Sequence, residues 1–197
     1  MGTFLKAEKL SKYDLGNKRL QFKSDPWVFI YPSDKIKVYR TNENLWRQEY
    51  EPSEYILDVL NEKISIPIAL DKIKDEIELS KSLLLLEKDW DSEGAVKIDI
   101  NIFLSSIKFL VEYSNYIYRN RGLVIASPEI NPCINGTIDL SWRTSKVRLL
   151  INIRFSELKA MSAYYYGDFY NNMSPIKGSI SVNEFSEFLA IWMKNLA

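Results

Sequence analysis

The chain has 197 residues and no histidine. That absence excludes Ser-His-Asp and Cys-His nucleophilic machinery, the HExxH metalloprotease arrangement and any zinc site that needs imidazole. Catalysis through carboxylates, lysine, tyrosine or a Ser-Lys pair stays open. Cysteine is nearly as scarce. Cys133 stands alone, so no disulfide closes within the chain, as expected of a reducing compartment. Neither sign of charge is in surplus, with 26 Lys and Arg against 26 Asp and Glu. The strong positive field of a dedicated duplex-binding protein is therefore missing. Long apolar runs are missing too. The N-terminal "MGTFLKAEKLSKYDLGNKRLQFKSD" has none of signal-peptide length. The densest apolar stretch, "SLLLLEKDW", falls far short of the roughly 20 residues that cross a bilayer. The expectation is a soluble cytoplasmic protein with no membrane association.

What is present is ample material for a core, with 46% hydrophobic residues. Residues 1–64 read as an N-terminal appendage and 65–197 as an α+β core domain. In the appendage, "WVFIY" and "KIKVYR" alternate as short strands around the turn signal "PSDK". "EPSEYILDVLNEKI" reads as a short helix capped by Ser53. From Pro67 to Lys88 the spacing of Leu70, Ile73, Ile77 and Leu84 predicts a helix. A second helix is expected from Ile100 to Arg119, with Asp99 or Asn101 as its cap and Gly122 as its stop.

A β-rich run follows. Asn135-Gly136 predicts a type I′ hairpin turn. Ile138, Leu140 and Trp142 alternate with polar residues, as do Val147, Leu149, Ile151, Ile153 and Phe155 with Leu150 the apolar exception, and "AMSAYYYGDFY" supplies a further strand. Ser181 and Glu184 have capping-box spacing ahead of a last helix striped by Phe185, Phe188, Leu189, Trp192 and Leu196. Strict alternation means one covered and one open sheet face. The predicted architecture is an antiparallel β-meander with helices packed on one face, plus the appendage with its short strands.

One stretch, "KDWDSEGAVKIDI", begins like a calcium loop. Asp89, Asp91 and Glu93 occupy ligand positions 1, 3 and 5, and Gly94 the glycine position 6. The pattern then fails. Lys97 stands at position 9 and Ile100 at position 12, where a bidentate glutamate closes the coordination sphere. The reading favoured here is a structural turn made by Asp89, Trp90, Asp91 and Gly94, with no metal and no cofactor.

"DWDSEGA", a following helix, "PEINPCINGTIDLSW" and "LLINIRF" together resemble a family of small bacterial and mobile-element proteins of uncharacterised function. Its members carry a D/N-W-D-G-x-G-A segment and a P-x-I-x-P…D-G-x-I-x-L-E-W hairpin. The resemblance covers about residues 80 to 155 and implies fold and boundaries only. Ser92 replaces the family's first glycine, Asn135 the hairpin aspartate, and Ser141 the acid before Trp142.

No catalytic constellation emerges. A restriction-type nuclease would pair Asp139 with a D/E-x-K element on the next strand, but that strand offers Asn152 and Arg154. The open face reads better as a binding surface of Arg143, Arg148 and Arg154 with Asn152, Tyr164 and Tyr166. Arginines beside tyrosines suit protein interfaces and single-strand stacking platforms alike. The leading expectation is a non-enzymatic protein-interaction module, such as an immunity, antitoxin or anti-defence component of bacterial or phage origin. The alternative is a nucleic-acid-associated binder, with single-stranded nucleic acid as partner, or a metal-dependent nuclease-like enzyme.

Overall fold

Among the described residues of the computed structural model, the backbone forms eleven strands, all paired antiparallel, and three α-helices. Residues 54–157, 159–171 and 175–197 are described in full. Before them the structure describes the strands Thr3–Lys6 (β1), Trp27–Ile30 (β2), Ile36–Arg40 (β3) and Trp46–Tyr50 (β4). β1 pairs with β2 and β3 with β4. Both strands expected in this region are therefore present, each paired to a strand that alternation had not singled out. The turn signal between them and the cap at Ser53 lie outside the described residues. The chain divides into two compact units, Met1–Ser53 and Glu54–Ala197.

The helix expected after Ser53 is a hairpin, Glu54–Val59 (β5) paired with Glu62–Pro67 (β6). Leu57 and Val59 are buried at alternate positions while Ile56 faces out, the period of a strand. Leu60 and Asn61 both have positive φ, 55° and 68°. That is the two-residue type I′ turn, whose twist matches antiparallel strands. Ile66 joins Leu57 and Val59 in the core of the second unit. A division at 64/65 would cut through β6, so residues 54–64 go with the core domain.

Ile73 and Ile77 are buried along the helix Asp71–Ser80 (α1), which tightens into 3₁₀ turns at Ile68–Leu70 and Lys81–Leu85. The long helix Ile100–Arg121 (α2) starts where the Asp99 carboxylate accepts the N–H groups of Asn101 and Ile102, at 2.7 and 3.4 Å. It ends at Gly122, where φ of 66° takes the chain out of the helix. Among the described residues no helix is long and apolar enough to cross a membrane.

The remaining strands, Glu129–Pro132 (β7), Ile138–Arg143 (β8), Val147–Phe155 (β9), Met161–Phe169 (β10) and Ile176–Ser181 (β11), form one antiparallel meander in that order. α2 packs across β8 and β9, and α1 against β7. The architecture is α+β, as predicted. Ile138, Leu140, Trp142, Leu149, Ile151 and Ile153 meet Phe103, Ile107 and Leu110 in a single core. The buried Trp142 indole donates to the Ala126 carbonyl at 2.9 Å, which satisfies its one polar atom. The last helix, Glu187–Met193 (α3), is capped by Ser186 rather than Ser181. The Ser181 carbonyl instead accepts the Glu184 N–H in a turn that leads into it. Gly167 lets the helix sit close, since a Cβ there would stand 2.6 Å from the Trp192 ring. Phe155, expected on the covered face, is 47% exposed because it lies in the last pair of the β9–β10 hairpin, opposite Met161.

Candidate functional site

Alternation fixes what the open face presents, and strand register decides what meets there. Arg143, Arg148 and Asp168 face one another across β8, β9 and β10. Asp139, Asn152 and Tyr164 form a second row, and Ser141, Leu150, Tyr166 and Lys177 a third between them. Arg154 lies opposite Ser162 beyond these rows. All six residues proposed from sequence therefore share the face, but the arginines do not form one cluster. Arg148 and Arg154 are six residues apart on one strand, about 20 Å at the rise of an extended chain.

The two ends are chemically different. At one, Arg148 Nε and Nη2 donate to the two carboxylate oxygens of Asp168 at 2.6 and 2.8 Å. This bidentate pair holds the Asp168 carboxyl below its ordinary range and pushes the Arg148 guanidinium further up. Tyr166 adds its hydroxyl, 3.4 Å from the same carboxylate. At the other end the Arg154 guanidinium lies 4.0 Å above the Tyr164 ring, a cation–π contact.

Between them is an open concavity of about 770 Å³ lined in part by Cys133, Asn152, Tyr164 and Lys177. Asn152 Nδ2 is its centre, donating to Asp139 Oδ1 at 2.7 Å and Thr137 Oγ1 at 2.9 Å. The same nitrogen stands 3.8 Å from Cys133 Sγ. Burial pushes the Cys133 thiol up, so it stays protonated and weakly nucleophilic near neutral pH. The apolar side chains of Leu150 and Ile134, 42% and 67% exposed, complete the rim.

Sequence reasoning placed Leu150 on this face but missed Asp168, Thr137, Lys177 and Ile134 as members of the surface. Asp168 was within reach, since it shares the parity of Tyr164 and Tyr166 along one strand. Its partner was not, because the β9–β10 register depends on a loop whose geometry the residues do not announce.

The Asp89–Gly94 stretch lies elsewhere and is turned on itself. Asp89 Oδ1 accepts the Gly94 N–H at 2.7 Å, and Asp91 Oδ1 accepts those of Glu93 and Ala95 at 2.9 Å each. These bonds hold the Asp91 carboxyl below its ordinary range. Asp89, Ser92 and Gly94 take positive φ. Trp90 is half-buried, its indole nitrogen 3.4 Å from the Val96 carbonyl. Lys97 bonds to Glu87 at 2.8 Å. Among the described residues no three His, Cys, Asp or Glu side chains stand close enough to share an ion.

This turn buttresses the β7–β8 hairpin. The Val96 N–H donates to the Ile134 carbonyl at 2.7 Å, and a Cβ on Gly136 would lie 3.0 Å from the Lys97 carbonyl. Gly136 alone has positive φ in the hairpin turn, and its N–H bonds to the Cys133 carbonyl. The expected type I′ turn at Asn135-Gly136 is thus a type I turn closed by a glycine bulge, a loop of three residues (Ile134 to Gly136) rather than two. Val96 and Lys97, just after this turn, thus pack on the hairpin loop and support the Cys133–Thr137 wall of the concavity. No family model, curated protein or solved structure matches the chain.

Proposed function

We propose that the open sheet face is a protein-binding surface and the chain a non-enzymatic interaction module, of the immunity, antitoxin or anti-defence kind. One observation carries the reading: the arginine strip is not electrostatically bare. Arg148 is committed to Asp168, and Asp139 stands beside Asn152 in the next strand, so the face mixes both signs around exposed Leu150 and Tyr166. Tyrosine and arginine around an apolar centre is the composition of interface cores. Phosphate backbones are held by uncompensated cations, which favours a protein partner over single-stranded nucleic acid. The immunity or antitoxin reading is supported by the small size and the balanced charge of the chain. For nuclease-like chemistry the site offers Asp139 an amide and a guanidinium where a second carboxylate and a lysine would serve.

The test is affinity capture from the native host, comparing wild type with Leu150→Asp combined with Arg154→Glu. Both side chains are exposed, so the fold should persist while the partner is lost. Recovery of the same partner by both proteins would refute the assignment. Salt-sensitive retention of a single-stranded oligonucleotide by wild type alone would move the function to the nucleic-acid reading.

A further inference from the structure

The two edges of the five-stranded sheet differ in what their backbones leave unbonded. On β7 the Cys133 N–H turns inward to the Thr137 carbonyl, so by strict alternation Ile130 and Pro132 point outward. The Ile130 N–H donates to Glu76 Oε1 of α1 at 3.1 Å, and proline has no N–H. Just beyond, the Ile134 carbonyl is taken by Val96. That edge is capped, as natural sheets require.

On β11 the Val182 N–H bonds inward to Met161 at 3.1 Å. The same alternation turns Ile176, Gly178 and Ile180 inward and leaves Lys177 and Ser179 pointing outward. Among the described strands only β10 pairs with β11. No proline interrupts the strand, and Lys177 is its one charge.

We infer that β11 pairs antiparallel with β11 of a second copy, about a two-fold axis through Gly178, to make a continuous ten-stranded sheet. Only odd-numbered residues offer outward groups, so the axis must pass through a residue and not between two. An axis at Lys177 sets two lysines face to face, which is unfavourable. An axis at Ser179 draws in Ser181, whose carbonyl already accepts the Glu184 N–H. The Gly178 axis places each Lys177 opposite the copy's Ser179, giving four N–H···O bonds. It also sets Ile176 against Ile180 twice on the helix side, where both are half-buried, and β-branched pairs are favourable there. Tyr165 already lies against Gly178, with room for no Cβ, which would stand 2.5 Å from its hydroxyl. A net charge of zero sets up no repulsion between copies. Because β7 is capped, association closes at two rather than growing into a fibre. The inference uses the sheet edge and does not depend on the open-face reading.

Sedimentation equilibrium on the full chain tests it, with dimer expected at twice 23.0 kDa. Ser179→Pro removes an outward N–H that makes no bond among the described residues and should weaken the dimer at least about tenfold. Ser179→Glu faces Lys177 of the copy twice and should tighten it roughly two- to tenfold, while Ser179→Lys should loosen it to a similar extent. Ser179 is exposed, so circular dichroism should show all three folded. A monomer at every concentration overturns the inference, as does an assembly larger than two. A dimer indifferent to Ser179→Pro, or loosened equally by Glu and Lys, overturns it too, since the contact or its register would then lie elsewhere.

Discussion

The two faces of one sheet are built from the same strands and obey opposite rules. On the covered face each side chain is apolar and its place is set by volume: Trp142, Leu149 and Ile151 fill the space beneath α2, and Gly167 clears a space for Trp192. On the open face the side chains apart from Leu150 are polar or amphipathic, and several are placed by a partner: Arg148 by Asp168, Asn152 by Asp139, Arg154 by Tyr164. The covered face tolerates little because a close-packed interior transmits every change in volume. The open face can change with little effect on stability, which is the freedom a recognition surface needs.

Mutations separate the two faces by magnitude. Trp142→Ala should have the largest effect, about 3–5 kcal/mol in chemical denaturation, as for other large core aromatics. A variant as stable as wild type would mean the sheet does not bury this ring. Gly167→Ala comes next. Its methyl must displace the Trp192 ring or Leu149, and overpacking of this kind costs roughly 1–3 kcal/mol. Undiminished stability there would show that α3 can shift away freely.

Arg148→Ala should be small by comparison, since Arg148 is exposed, Asp168 is only half-buried and surface ion pairs contribute little. The melting temperature should stay within about 2 °C of wild type. A large loss would place the Arg148–Asp168 pair in the structural class with Trp142 and blur the contrast. The same pair has a pH signature. Asp168 has its carboxyl pKa lowered on folding, first by the hydrogen bonds from Arg148 and then by its charge. Its contribution is therefore present above the ordinary carboxylate value of 3.8 and is lost as pH falls through the lower folded value. The difference between wild type and Arg148→Ala should shrink to nothing across that acid window. A difference that persists below it would have to come from lost packing instead.

Much of the fold was legible because local periodicity and tertiary burial agree. The stripe of Phe103, Ile107, Leu110 and Ile117 and the alternation of Ile138, Leu140 and Trp142 each name a buried face, and both faces are buried. Legibility failed where the local signal was ambiguous. Glu54–Val59 contains helix formers, yet its partner strand and the turn at Leu60-Asn61 made it a hairpin. Asn135-Gly136 carries the strongest short hairpin signal in the chain, and support from Val96 and Lys97 accompanies a longer turn there.

The sequence by itself determined the class of the fold, the order of most of its elements, a helix start at Asp99 or Asn101, the stop at Gly122 and the side of the sheet on which Arg143, Arg148, Asn152, Arg154, Tyr164 and Tyr166 lie. Each follows from the chemistry of a residue and its near neighbours, which no distant contact has to supply. Only the tertiary structure decided which open-face residues meet. Arg148 finds Asp168, and Asn152 finds Asp139, through strand register, and a shift of two residues would keep every side chain on its face while exchanging every partner. Only the tertiary structure, likewise, distinguished the edges. α1 carries Glu76 to the Ile130 N–H of β7, a contact across more than fifty residues that no local pattern announces, while β11 keeps its outward backbone groups unpaired among the described strands.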